Sequence, residues 1–190
     1  MMEYLAARRL LPLPELHGLK AHNGLGYWNV RSDGSRECAG HFPALIAEVR
    51  DVRGGLVSAH ATYLDHSRKL DVEQPRKFLS GLSQQPGCAV RLMPIGPTGV
   101  LGVGEGIETC LAAALIHGIS TWAALTAPLL AKFEPPLGVR QLVVFADRDS
   151  AGERAAVNLV QRLGGQVPIE VHTPRPPSKD WADALDNEHH

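Results

Sequence analysis

The chain has no long apolar run. Its longest, around residues 110–116, falls far short of the roughly 20 residues that cross a bilayer, so no membrane span is expected. Cysteine is scarce: Cys38, Cys88 and Cys110 are odd in number and widely spaced, which excludes a disulfide framework and a CxxC zinc knuckle. The nine histidines show no HxxxH or HExxH spacing, so a histidine metal centre is not expected either. The opening MMEYLAARRLLPLP carries charges inside its apolar segment and no small-residue cleavage site follows. It does not read as a secretory signal, and the expected location is cytoplasmic. Internal repeats and low-complexity segments are missing. The final Glu188, His189 and His190 read as a tag remnant and are set aside from any metal argument.

What is present fits an ordinary globular protein. The 190 residues are 44% apolar and 21% charged, enough to bury one good core or two small ones that share an interface. The net charge of -1 hides an asymmetry. Residues 1–99 hold 12 Lys+Arg against 9 Asp+Glu, a balance of +3, whereas residues 100–190 hold 7 against 11, a balance of -4. A basic surface feeding an acidic centre would have this distribution.

The pattern changes along the chain. Residues 3–11 have helical apolar spacing and run into Pro12 and Pro14, which cannot continue a helix. YWNV, ALIAEVRD and LVSAHATYLD read as strands, separated by turns at Ser32-Asp33-Gly34, Gly54-Gly55 and Asp65-His66-Ser67. They predict a small N-terminal α+β domain, residues 1–96, with an antiparallel sheet. Residues 81–99, rich in Pro and Gly, read as a junction with one short strand at 89–92. Beyond it the order becomes βαβα: strands at 100–103, 120–124, 141–146 and 168–172, with helices at 107–117, 128–133 and 151–163. This alternation predicts an α/β domain, residues 99–187, built on a mostly parallel sheet.

Two strands of that domain end in acids. Residues 100–103 lead into Gly104-Glu105-Gly106, and QLVVFA leads into Asp147-Arg148-Asp149. Ligands of open α/β sheets bind outside the carboxyl ends of the strands, where both clusters fall. Glu105, Asp147 and Asp149 together make an oxygen-only donor set suited to Mg²⁺. Gly104, Gly106 and Gly152 allow backbone to approach a metal or phosphate closely. A DxD after a strand, taken alone, is more often a solvated turn or a helix N-cap than a catalytic pair.

VGEGIETCLAA followed by LVVFADRDSAGERAA, and later SKDWADAL, resembles the TOPRIM domain of primases, topoisomerases and related nucleases. AARRLLPLPELHGL, YW, HFPALIAEVRD, HATYLD and PRKFLSG resemble the region that precedes TOPRIM in phage and plasmid primase-like proteins. The resemblance implies a Rossmann-like parallel sheet and a primase core making RNA primers from ribonucleotides on single-stranded DNA. It implies Glu105 as general acid or base or metal ligand, and Asp147 and Asp149 as ligands of Mg²⁺ (or Mn²⁺). Asp180, with Asp183, would complete the acidic site. A replicative helicase is the implied partner. Complete primases of this type also carry a zinc ribbon and a helicase segment that residues 1–190 lack, so either an excised fragment or a protein without independent priming is expected.

Basic residues could serve the nucleic acid. Arg68, Lys69, Arg76 and Lys77 are candidates for the template backbone, with Lys179 and Gly106 for nucleotide phosphate, or they are simply solvated charges. Trp28 and Trp181 could stack on bases or belong to the core. Two other readings stay open: a TOPRIM nuclease using the same acids, and a non-catalytic DNA-binding or replisome-interaction module. Topoisomerase is disfavoured because Tyr4, Tyr27 and Tyr63 all lie outside the second half.

Overall fold

The computed structural model describes residues 1–13, 16–79 and 86–187. The reading of 188–190 as a tag lies outside these residues, as do Pro14 and the 81–85 part of the expected junction.

Helix α1 (Met2–Ala7) is shorter than the expected 3–11. Arg9 takes φ 56°, and the amides of Leu10 and Arg9 donate back to the carbonyls of Leu5 and Ala6. This left-handed closure ends the helix before Pro12 is reached and buries Leu10.

Three long antiparallel strands follow, β1 (Leu19–Val30), β2 (Arg36–Arg50) and β3 (Leu56–Asp65). Each connection uses local turn chemistry. Asp33 accepts from the Ser35 amide and hydroxyl while Gly34 takes φ 82°, and Asp51 accepts from the Gly55 amide while Gly54 takes φ 90°. Short strands β4 (Arg68–Lys69) and β5 (Arg76–Phe78) pair with β3. The outer parts of β1 and β2 extend beyond YWNV and ALIAEVRD, because one face of this sheet stays open to solvent and weakens the apolar alternation.

The second half alternates as expected through β7 (Val100–Gly104), α2 (Ile107–His117), β8 (Thr121–Ala123), α3 (Ala127–Ala131), β9 (Gln141–Phe145), α4 (Ser150–Leu163) and β10 (Ile169–His172), and then adds a helix beyond the expected elements, α5 (Trp181–Asn187). Strands β10, β9, β7 and β8 are parallel neighbours in that order. β9 is interior, as its unbroken apolar run requires.

The expected junction strand is β6 (Ala89–Arg91), and it joins the halves. It pairs antiparallel with β8 on one side and with the end of β2 on the other, so one ten-stranded sheet runs through the molecule. Alternate residues of β9 face opposite layers. Val143 and Phe145 belong to the core cluster that includes α1, α2 and α5, whereas Leu142 and Val144 belong to the one that includes α3 and α4. The result is a mixed α/β fold with a mostly parallel central region and a smaller N-terminal part.

Candidate active site

Gly104, Phe145 and His172 end three parallel strands side by side, so the chain after each leaves on the same edge of the sheet. Glu105 follows Gly104 directly, and Asp147 stands two residues past Phe145. The approach is tight. A Cβ on Gly104 would meet the Cys110 Sγ at 2.9 Å and the Phe145 carbonyl oxygen at 3.0 Å, and one on Gly152 would meet the Asp147 carbonyl oxygen at 2.7 Å. Glycine at these positions lets α2 and α4 begin against the strand ends.

Asp149 is the N-cap of α4, its Oδ1 accepting from the amides of Ala151 at 2.9 Å and Gly152 at 2.8 Å. One oxygen of the carboxylate is thus held by the helix. The Asp147 carboxylate receives the Thr109 hydroxyl at 3.4 Å. The third acidic segment is fastened to the same turn, since the Arg148 amide donates to the Lys179 carbonyl at 2.6 Å. Asp180 and Asp183 cap the start of α5 reciprocally: the Asp183 amide donates to Asp180 at 2.8 Å, and the Lys179 amide to Asp183 at 3.2 Å.

These acids feel one another. Burial first, then the charges of Asp180, Glu105 and Asp149, pushes Asp147 up to about 7, against a small opposing effect of the Thr109 hydrogen bond. Burial and Asp149 raise Glu105, and Arg76 partly offsets them. Asp183 is not among the charges that move Asp147; it is exposed and turned toward the Lys179 backbone.

The donor set is all oxygen and short of positive charge, which is the chemistry that a hard divalent cation satisfies. Among the described residues no three His, Cys, Asp or Glu side chains converge closely enough to enclose an ion by themselves. Mg²⁺ commonly keeps several waters and shares its shell with phosphate oxygens, so an open carboxylate cluster is compatible with it.

The basic candidates separate. Strand alternation sends Arg76 and Lys77 to opposite faces of β5. Arg76 is exposed and its charge reaches Glu105. Lys77 donates to the Trp28 carbonyl at 2.7 Å and sits 3.6 Å over the Tyr27 ring. Arg68 is paired with Asp65 at 2.8 Å on the surface, and Lys69 with Glu108 at 2.7 Å. Lys179 is exposed, with both its backbone groups engaged. Gly106 is the N-cap residue of α2.

The two tryptophans also part. Trp181 is 6% exposed and lies in a core cluster with Phe145 and His117, so it offers no stacking face. Trp28 is 50% exposed. It lines an open groove of about 960 Å³ together with Leu25, Arg36, Lys77, Thr126 and Lys132. Among the described residues that line it three are basic and none is acidic. Thr126 in its wall follows Leu125, whose amide donates to the Glu105 carbonyl at 2.7 Å.

Glu108, Thr109 and Tyr4 lie outside the expected set of site residues. The available signal was an acid inside the otherwise apolar IETCLAAALI of α2.

Residues 100–189 match the Toprim domain family. The C-terminal half is a Toprim domain. Residues 1–92 match a second family, a domain of unknown function (DUF7146), and comparison with curated proteins gives no match. Among solved structures the chain is similar to a DNA primase domain from Pseudomonas aeruginosa (TM-score 0.55, 16% identity, 86% of this chain and 53% of that one). It is also similar to the primase fragment of the bacteriophage T7 primase-helicase protein (TM-score 0.52, 20% identity, 78% and 59%). A third is a DnaG primase catalytic domain bound to single-stranded DNA (TM-score 0.52, 14% identity, 85% and 53%). At these identities the likeness is one of fold, and the chain spans between half and three fifths of the length of these neighbours.

Proposed function

We propose that the chain is the catalytic core of a primase-type nucleotidyltransferase, which joins ribonucleotides into RNA primers on single-stranded DNA. The observation that carries this reading is that Glu105, Asp147 and Asp149 follow the carboxyl ends of adjacent parallel strands and that burial first, then the charges of Asp180, Glu105 and Asp149, raises Asp147. The four carboxylates would hold Mg²⁺ or Mn²⁺, which when bound stabilises both the attacking and the leaving oxygen of a phosphoryl displacement. Asp183 supports the cluster by holding the start of α5.

The remaining roles belong to the chain's own groups. Glu105, raised by burial and by Asp149, accepts the proton of the attacking hydroxyl. Arg76 faces the transferred phosphate from the N-terminal sheet. The groove beside Trp28 takes the template, with Lys77, Arg36 and Lys132 meeting backbone phosphates and Trp28 stacking on a base. In this division residues 1–96 supply most of the template platform, and residues 99–187 are the catalytic domain and add Lys132 to that platform. The T7 neighbour is by name a primase-helicase, and a replicative helicase is the partner this reading assigns. Among the described residues no helix is long and apolar enough to cross a membrane; the location consistent with priming is the cytoplasm.

Incubation with labelled ribonucleotides, single-stranded DNA and Mg²⁺ or Mn²⁺ tests the proposal. New oligonucleotides longer than the substrates are expected. A shortened template would replace the reading with a nuclease, and a retarded but unchanged template with a binding module.

A further inference from the structure

Glu108 is an acid for which the proposed chemistry has no use. It lies three residues after Glu105 on the first turn of α2, and only 8% of it is exposed. Its Oε1 accepts the Tyr4 hydroxyl at 2.5 Å and pairs with the Lys69 ammonium at 2.7 Å. Burial alone would raise this carboxyl, but Lys69 and then Tyr4 outweigh it and hold it at about 2. Burial foremost, and then Glu108, push the Tyr4 hydroxyl up in turn. Tyr4 comes from α1 and Lys69 from β4, so both partners belong to the N-terminal half.

The position of the turn gives the contact its meaning. Glu105 and Gly106 lead into it, and Thr109, the residue after Glu108, carries the hydroxyl that reaches Asp147. α2 is otherwise apolar from Ile107 to Ile116 apart from Thr109. An ion pair between the buried Glu108 and the half-buried Lys69 adds little net stability over apolar side chains of similar size, because desolvation of the carboxylate consumes most of the attraction. What such a pair does supply is a directional contact between two elements that apolar packing would leave free to slide.

We propose that Glu108 is a positioning residue: clamped by Lys69 and Tyr4, it fixes the first turn of α2 against the N-terminal half so that Glu105 and Thr109 face the Asp147–Asp149 turn. Its effect on ion binding rests on the metal-centre reading above; its effect on the turn does not.

The test uses the full chain and two measurements, amide hydrogen exchange over residues 105–110 and Mn²⁺ affinity by calorimetry. Glu108→Gln alone leaves the half-buried Lys69 without its counter-charge and lowers the melting temperature. Glu108→Gln/Lys69→Met removes both charges and is expected to recover most of that loss. In the recovered double variant, amides of residues 105–110 should still exchange roughly tenfold faster than in the native chain, with those in the middle of α4 unchanged. Mn²⁺ affinity should remain lowered by about tenfold or more, the size expected when a supporting contact behind a metal ligand is removed. Native exchange over 105–110 in the double variant would overturn the proposal and leave the cluster a contributor to stability alone. Should the native chain bind no Mn²⁺, the metal-centre reading fails while the exchange comparison still decides the role of Glu108. Tyr4→Phe, which deletes one hydroxyl, guards against a double variant that does not fold: it should quicken exchange over 105–110 in the same direction, and no change there would equally overturn the proposal.

Discussion

The Arg148 amide and the Lys179 carbonyl, 31 residues apart in sequence, are joined by a 2.6 Å hydrogen bond. Through it the turn that carries Asp147 and Asp149 holds the segment that carries Asp180. Without that bond Asp180 would sit at the head of a short, separate helix. With it, Asp180 is the strongest of the charges acting on Asp147.

The first prediction follows from that crowding. Asp147 is raised from 3.8 to about 7, so the folded chain keeps a proton that the unfolded chain releases. The stability from this proton is complete below pH 3.8 and is lost as the pH rises toward 7. Asp147→Asn never carries the charge. In EDTA its melting temperature should match the native chain near pH 4 and exceed it at pH 8 by about 3 °C or more. Added Mn²⁺ should stabilise the native chain and not the variant. Scanning calorimetry at the two pH values decides; a variant less stable than the native chain at pH 8 would refute the crowding argument.

Asp149 has two duties that substitution can separate. Asn caps a helix about as well as Asp, whereas Ala does not. Asp149→Ala should lose about 1 kcal/mol in urea unfolding, and Asp149→Asn should lose little. Both should lose Mn²⁺ affinity. If Asp149→Asn binds Mn²⁺ like the native chain, Asp149 is a cap and nothing more.

The groove and Arg76 should also behave differently. Single-stranded DNA affinity depends on salt with a slope of about 0.7 per phosphate contact. Replacing Arg36, Lys77 and Lys132 together by Ala should therefore reduce the slope of log affinity against log salt by about 2. Arg76→Ala should change it by less than about 1 while slowing turnover. Fluorescence anisotropy across a salt series reads both. An undiminished slope in the triple variant would remove the template from this groove.

The C-terminal half was legible from sequence for a definite physical reason. A strand buried on both faces, such as Gln141–Phe145, must be apolar throughout, and helices between parallel strands restore the 3.6-residue period, so both patterns survive in one dimension. The acids were legible because they terminate such strands. The N-terminal half was harder. Most of β1 is exposed, with burial concentrated near Tyr27, so Leu19–Gly26 shows no apolar alternation to betray a strand. β6 looked like a junction because three residues cannot reveal that they close a sheet from both sides. The partners of Glu108 were illegible, since Lys69 and Tyr4 lie 39 and 104 residues away in sequence, and so was the reach of the Arg76 charge to Glu105 across the fold.

Glu105 is the residue on which the proposed chemistry depends most directly. Glu105→Gln preserves shape and removes the charge, so single-stranded DNA binding by anisotropy should stay within about twofold of the native chain while template-directed ribonucleotide incorporation falls by roughly 100-fold or more, the range for removing an acid–base group. Incorporation at the native rate in Glu105→Gln, or loss of DNA binding together with incorporation, would contradict it.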